Sequence, residues 1–164
     1  MGEEGLQRFS SEYWMSKALE LAEQAALRNE VPVGAVIVYD NEIIGRGSNN
    51  PISSNDPTAH AEIIALREAA QKIKNYRLVN ADIYVTLEPC AHHGQTPPCA
   101  TALALAGVTR VVYAIEDPDP RVRGCCTGIR SADTCPRQCW GLAPRFHCTA
   151  SYWHCCCRFG FPKL

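Results

Sequence analysis

AHAEIIALREAAQKI (residues 59–73) followed by ADIYVTLEPC (residues 81–90) decides the fold. In the first segment Ile63, Leu66, Ala70 and Ile73 recur at helical spacing, which predicts a helix that begins close to His60 and carries Glu62 in its first turn. The stretch before it, SNNPISSNDPT (residues 48–58), is built from residues that favour turns and delivers the chain to that helix start. In the second segment ADIYVTL is a short apolar run stopped by Glu88 and Pro89, the pattern of a buried strand whose end opens onto a site. His60 and Glu62 are thus expected at a helix N-terminus, and Cys90 just past a strand end.

On the N-terminal side, residues 10–28 start with Ser10 and Ser11 as candidate caps. They carry Trp14, Ala18, Leu21 and Ala25 at helical spacing, widened by Met15, Leu19 and Ala22, as in an amphipathic helix. VGAVIVYD, Asn41 and EIIGRG then pair two β-branched runs across an Asp40-Asn41 turn, a hairpin signal. On the C-terminal side, Thr96 is a candidate cap with Pro97 in the first turn of a helix that runs through ATALALA to Gly107. RVVYAI, residues 110–115, is the next strand. Helices alternating with mostly apolar strands after an initial hairpin predict an α/β layered domain, a mixed sheet covered by helices.

The chain has 164 residues, 46% hydrophobic and 20% charged, enough for one compact domain with a continuous core. A formal charge of -1 gives no global attraction to a polyanion, so a nucleic-acid partner requires a local basic patch. No apolar run approaches the roughly 20 residues needed to cross a bilayer. The opening MGEEGLQRFSSEYW lacks the basic flank and apolar stretch of a secretory signal, and a soluble, cytoplasmic protein is expected. Of the 10 cysteines only Cys90 and Cys99 precede residue 124, and the rest crowd into the last stretch of the chain. That shift predicts a domain over residues 1–123 and an irregular Cys-rich tail over residues 124–164. Three readings of the tail stand side by side: a frame-shifted or spuriously joined end, a disordered natural tail, and a second metal knuckle using Cys135, Cys139, His147 and Cys148.

A hydrolytic zinc site takes three protein ligands and keeps the fourth position for water, whose pKa the metal lowers toward neutrality. His60, Cys90 and Cys99 supply that set, from two neighbouring helix starts whose dipoles favour thiolate over thiol. Glu62, two residues after His60, can face the same cavity without binding the metal and move protons for attack on an amino-bearing ring carbon. Taken singly, a histidine at a helix start is an ordinary cap or core residue, and a pair of cysteines is ordinarily just buried. The ordered combination of His-Ala-Glu, a helix and strand, then Glu-Pro-Cys and a second Cys matches the pattern of the zinc deaminases.

Residues 10–123 resemble the cytidine-deaminase-like superfamily, which implies a three-layer α/β/α fold with a mixed sheet. Residues 11–90, with EVPVGAVIV, SNNP, NDPTAHAEIIALR, NYRL and ADIYVTLEPC, resemble bacterial tRNA-specific adenosine deaminase. That likeness implies conversion of adenosine to inosine at the wobble position of a tRNA anticodon, a homodimer, and contact of Asn49 with the target base. An amide can both donate to and accept from a purine edge. After Cys90 that family shows Pro-Cys-x-x-Cys, whereas here the second cysteine comes nine positions on. EPCAHHGQTPPCATALALAGVTRVVYAIEDPDPRV, from residue 88, resembles instead the deaminase domain of the bifunctional riboflavin-biosynthesis enzyme, which acts on a ribosylamino-pyrimidinone phosphate. That likeness places His92, His93 and Gln95 in the substrate loop, where Arg or Lys commonly stands at the last position. A neutral Gln95 is a poorer grip on a small phosphate. After Gly124 neither family is matched, and no counterpart of the riboflavin enzyme's reductase domain follows.

Three functions compete on these grounds. The first is tRNA adenosine deamination with Zn2+, favoured by the length of its match. The second is deamination of the riboflavin-pathway diaminohydroxyphosphoribosylaminopyrimidine, carried by the loop between the cysteines. The third is an inactive hybrid or a structural zinc module, which requires a fourth protein ligand from the tail.

Overall fold

The computed structural model describes residues 9–91 and 96–117. The proposed tail, as well as His92, His93 and Gln95, lies outside those residues. Helix α1 spans Ser11–Leu27, and Ser10 caps it by accepting the Tyr13 N–H on its side chain. Strands β1 (Gly34–Tyr39) and β2 (Glu42–Ser48) form the expected antiparallel hairpin. Its two turn residues, Asp40 and Asn41, both take positive φ, 48° and 60°. That backbone twist matches the flanking strands, and Asn and Asp tolerate it well.

A short helix, α2 (Pro51–Ser54), interrupts the connection to α3 (Ala61–Ile73). Strand β3 (Asp82–Leu87), helix α4 (Cys99–Ala106) and strand β4 (Arg110–Ile115) complete the described elements. The sheet order is β2-β1-β3-β4, with β1 antiparallel to both β2 and β3 and with β3 parallel to β4. The sheet is therefore mixed, as expected.

Alternation along the strands divides the core into two layers. Val36, Val38, Tyr84 and Val112 pack with Trp14, Met15 and Ala18 of α1 on one face. On the other face Ala35, Ile37, Ile83, Val85, Val111 and Tyr113 pack with Ala61, Ala65, Leu66 and Ala69 of α3 and with Ala100 and Leu103 of α4. This is the three-layer α/β/α arrangement.

Two local expectations shift. The face of α3 turned to the core is Ala61, Glu62, Ala65, Leu66 and Ala69, while Ile73 is exposed. The reason lies in β2: a Cβ on Gly47 would collide with the Ala61 carbonyl, and one on Gly45 with that of Ala65. Backbone meets backbone there, so the alanines face the sheet and the larger Ile63 packs at the margin of the cluster. Helix α4 starts at Cys99 with Pro98 as its cap (φ -61°, ψ 137°), later than a Thr96 cap would place it. A residue before proline is pushed out of the helical region, so Pro97, followed by Pro98, cannot take the first helical position and a cap at Thr96 has no helix to open.

Candidate metal centre

Each proposed ligand is delivered by the end of an element. His60 is the extended N-cap residue of α3, Cys90 follows β3 by a short connection, and Cys99 is the first residue of α4. The connection from β3 is tied down on both sides. Glu88 is buried, its backbone N–H donates to the Ile115 carbonyl at 2.8 Å, and its carboxylate accepts the Asp117 N–H at 3.2 Å. The Ala100 N–H donates to the Cys90 carbonyl at 3.1 Å, fastening the same connection to α4.

One donor atom from each of His60, Cys90 and Cys99 lies within 4.8 Å of the others. The Cys99 sulfur is 3.3 Å from His60 Nδ1, and the Cys99 backbone N–H donates to the Cys90 sulfur at 3.2 Å. Zinc at about 2.0–2.3 Å from nitrogen and thiolate needs its donors about 3.5 Å apart, so this spread is within about an ångström of a closed shell. One imidazole and two sulfurs are also the donor chemistry zinc selects. The set fits the ion, and the described residues bring three ligands together.

The electrostatics of the cluster are those of groups crowded out of water. The Cys90 thiol pKa is lowered to about 4, chiefly by the hydrogen bond from the Cys99 thiol and, against the cost of burial, by His60 and the Cys99 N–H. The Cys99 thiol is pushed strongly upward by that same bond and by burial. His60 is raised by its bond to Cys90.

Glu62 is 5% exposed and stands in the first turn of α3. Burial pushes its carboxyl up to about 7, where it can hold or release a proton near neutrality.

Asn49 follows β2 and is fixed on three sides. Its N–H donates to the Val33 carbonyl at 3.0 Å, its carbonyl accepts from Arg28, and its side-chain Oδ1 accepts the Ala61 N–H at 2.9 Å. The amide therefore stands against the residue between His60 and Glu62. Its Oδ1 is already used, and its Nδ2 has no partner among the described residues. The Nδ2 is a donor, and the Oδ1 keeps a second lone pair beside the bond from Ala61.

Sequence reasoning missed Glu30 and Arg28, which sit just before the β1 run. Glu30 is 5% exposed and accepts from Ile52 and Ser53. The signal was a lone carboxylate at the edge of an apolar segment, which is costly to bury unless it holds something.

A layered α/β domain with this donor set and a buried carboxyl beside it is a zinc-dependent hydrolase of the deaminase class. The chain belongs to the family described as the cytidine and deoxycytidylate deaminase zinc-binding region, which matches residues 9–115. It is 50% identical over 107 residues to a tRNA-specific adenosine deaminase of Buchnera aphidicola (subsp. Schizaphis graminum), covering 65% of this chain and 67% of that protein. It is 48% identical over 115 residues to the riboflavin biosynthesis protein RibD of Escherichia coli K12, covering 69% of this chain and 29% of that protein. Among solved structures, a tRNA:A34 deaminase studied for A-to-I editing superposes with a TM-score of 0.60 at 43% identity, covering 65% of this chain and 78% of that one. Among the described residues no helix is long and apolar enough to cross a membrane.

Proposed function

We propose that this chain hydrolytically deaminates adenosine to inosine at the wobble position of a tRNA anticodon, as a cytoplasmic homodimer, with His60, Cys90 and Cys99 holding zinc. The observation that carries it is the convergence of those three donors and the buried Glu62 against the Asn49 amide. Zinc held there supplies a Lewis acid that makes water nucleophilic near neutral pH. Glu62 accepts a proton from the attacking water and passes it to the ring nitrogen beside the amino-bearing carbon. It then takes the second proton from the hydroxyl now on that carbon and gives it to the departing amine, so that the new carbon–oxygen bond becomes a carbonyl, the carbon–nitrogen bond breaks and ammonia leaves. The Asn49 Nδ2 donates to an acceptor on the base and holds the ring against the carboxyl.

The second reading is deamination of the ribosylamino-pyrimidinone phosphate. It is favoured by the Cys90 to Cys99 spacing and by the likeness to the riboflavin protein. Ammonia release by the zinc-loaded protein separates the two. Turnover is expected on an anticodon stem-loop with adenosine at the wobble position. Turnover on the pyrimidinone phosphate alone would reverse the assignment.

A further inference from the structure

The segment that follows α1 reaches across to the connection between β2 and α3. Arg28 is the C-cap of α1, Asn29 has φ 58°, and the N–H groups of Asn29 and Glu30 return to the Ala26 and Ala25 carbonyls. This closed helix ending fixes the direction in which Arg28 and Glu30 leave the helix. Arg28 donates to Ser48 Oγ at 2.8 Å. Glu30 Oε1 accepts the Ser53 N–H at 2.7 Å and its hydroxyl at 2.9 Å, and Oε2 accepts the Ile52 N–H at 3.3 Å. Between these two grips lies Asn49.

Helix α2, which Glu30 holds, buries none of its residues, and Ile52 is 70% exposed. Apolar packing therefore does not set the position of this turn. A nearly buried carboxylate is a costly way to hold a surface turn, and it is repaid only where the placement of that turn matters.

We infer that Glu30 is a positioning residue for the base pocket: by anchoring Ile52 and Ser53 it holds the 49–53 connection so that the Asn49 amide stays seated on the Ala61 N–H. The inference rests on the reading that Asn49 contacts the base. Glu30 grips the near end of this connection, whereas the ligand His60 stands at its far end as the N-cap of α3 and the ligands Cys90 and Cys99 lie on another connection. Loss of Glu30 should leave zinc bound while weakening substrate binding.

The test uses the full zinc-loaded chain and the wobble-adenosine stem-loop. Glu30→Ala is expected to raise KM about tenfold, the scale of one or two lost hydrogen bonds to a charged group, with kcat little changed and one zinc retained. Glu30→Gln, which keeps one carbonyl oxygen for the Ser53 N–H, should recover part of that loss. The Glu30→Ala, Asn49→Ala double variant should bind no worse than Asn49→Ala, since Glu30 acts through Asn49. Faster amide exchange at Ser53 and Ala61 in Glu30→Ala reads the same loosening without turnover. Raised KM in Asn49→Ala beside unchanged KM in Glu30→Ala, or multiplying effects in the double variant, overturns the inference alone. Unchanged KM in Asn49→Ala overturns the base-contact reading and the inference with it.

Discussion

Glu62 and the ligands beside it fail in different ways when altered, and the difference separates proton transfer from metal binding. Removal of the carboxyl by Glu62→Ala takes away a group that hydrogen-bonds Cys99 but is not one of the three metal donors, so the protein should keep one zinc per chain. Turnover should fall by about three orders of magnitude or more, near the upper range for a single general acid–base group. Metal analysis and single-turnover assays of the same preparation check both halves, and an undiminished rate would remove Glu62 from the mechanism. Cys99→Ala should instead lower zinc affinity by more than about a hundredfold, beyond what loss of an outer-shell partner costs, and activity should follow occupancy. Retained stoichiometric zinc after competition with a chelator would show that Cys99 is no ligand. At this scale the sequence is legible where chemistry restricts the choice. His60, Cys90 and Cys99 stand out from the other histidines and cysteines of the chain through the ordered His-Ala-Glu and Glu-Pro-Cys pattern of the deaminases. The seat of Asn49, by contrast, is not legible in sequence, because its partner, the Ala61 N–H, becomes available only when β2 and α3 are brought side by side.

Elements place these residues, and the contacts that hold the elements carry their own predictions. Burial raises the Glu30 carboxyl, but the hydrogen bonds from Ser53 and Ile52 and the charge of Arg28 outweigh it and bring the pKa below its ordinary value of 4.5. A carboxyl lowered on folding adds stability that is present above its unfolded pKa and is lost as pH falls through the folded one. The melting temperature of the wild type should therefore exceed that of Glu30→Gln near neutrality, and the gap should close as pH falls below 4.5. A gap that widens toward acid would contradict the sign. On the other side of the same connection, Gly47→Ala drives a methyl into the Ala61 carbonyl at the start of α3. Relief of such a collision costs about 1–3 kcal/mol, and here it displaces His60 as well, so denaturant midpoint and zinc affinity should fall together. Helices and strands were readable from period and caps, as Ser10, Asp40 and Asn41 illustrate. The rotation of α3 was not, since it is set by two glycines on a different element that admit only alanines.

For the molecule as a whole, the question is how much of the chain the catalytic unit requires. Both described core clusters draw on residues from Trp14 to Ala114, and the family match covers residues 9–115. Each sheet face is covered within that span, α1 on one and α3 with α4 on the other. The three ligands also fall inside it. We therefore propose that the domain ends near Gly124 and that the Cys-rich remainder adds nothing to the metal site. A chain ended after Arg123 should fold cooperatively, bind one zinc and turn over the wobble-adenosine stem-loop at the rate of the full chain. Limited proteolysis of the full chain should yield a stable fragment of the same extent. The contrary result is specific: if the shortened chain loses its zinc, or the full chain keeps a second zinc in a protease-resistant tail, residues after Gly124 belong to the folded unit. Cys135, Cys139, His147 and Cys148 would then be the first ligands to replace.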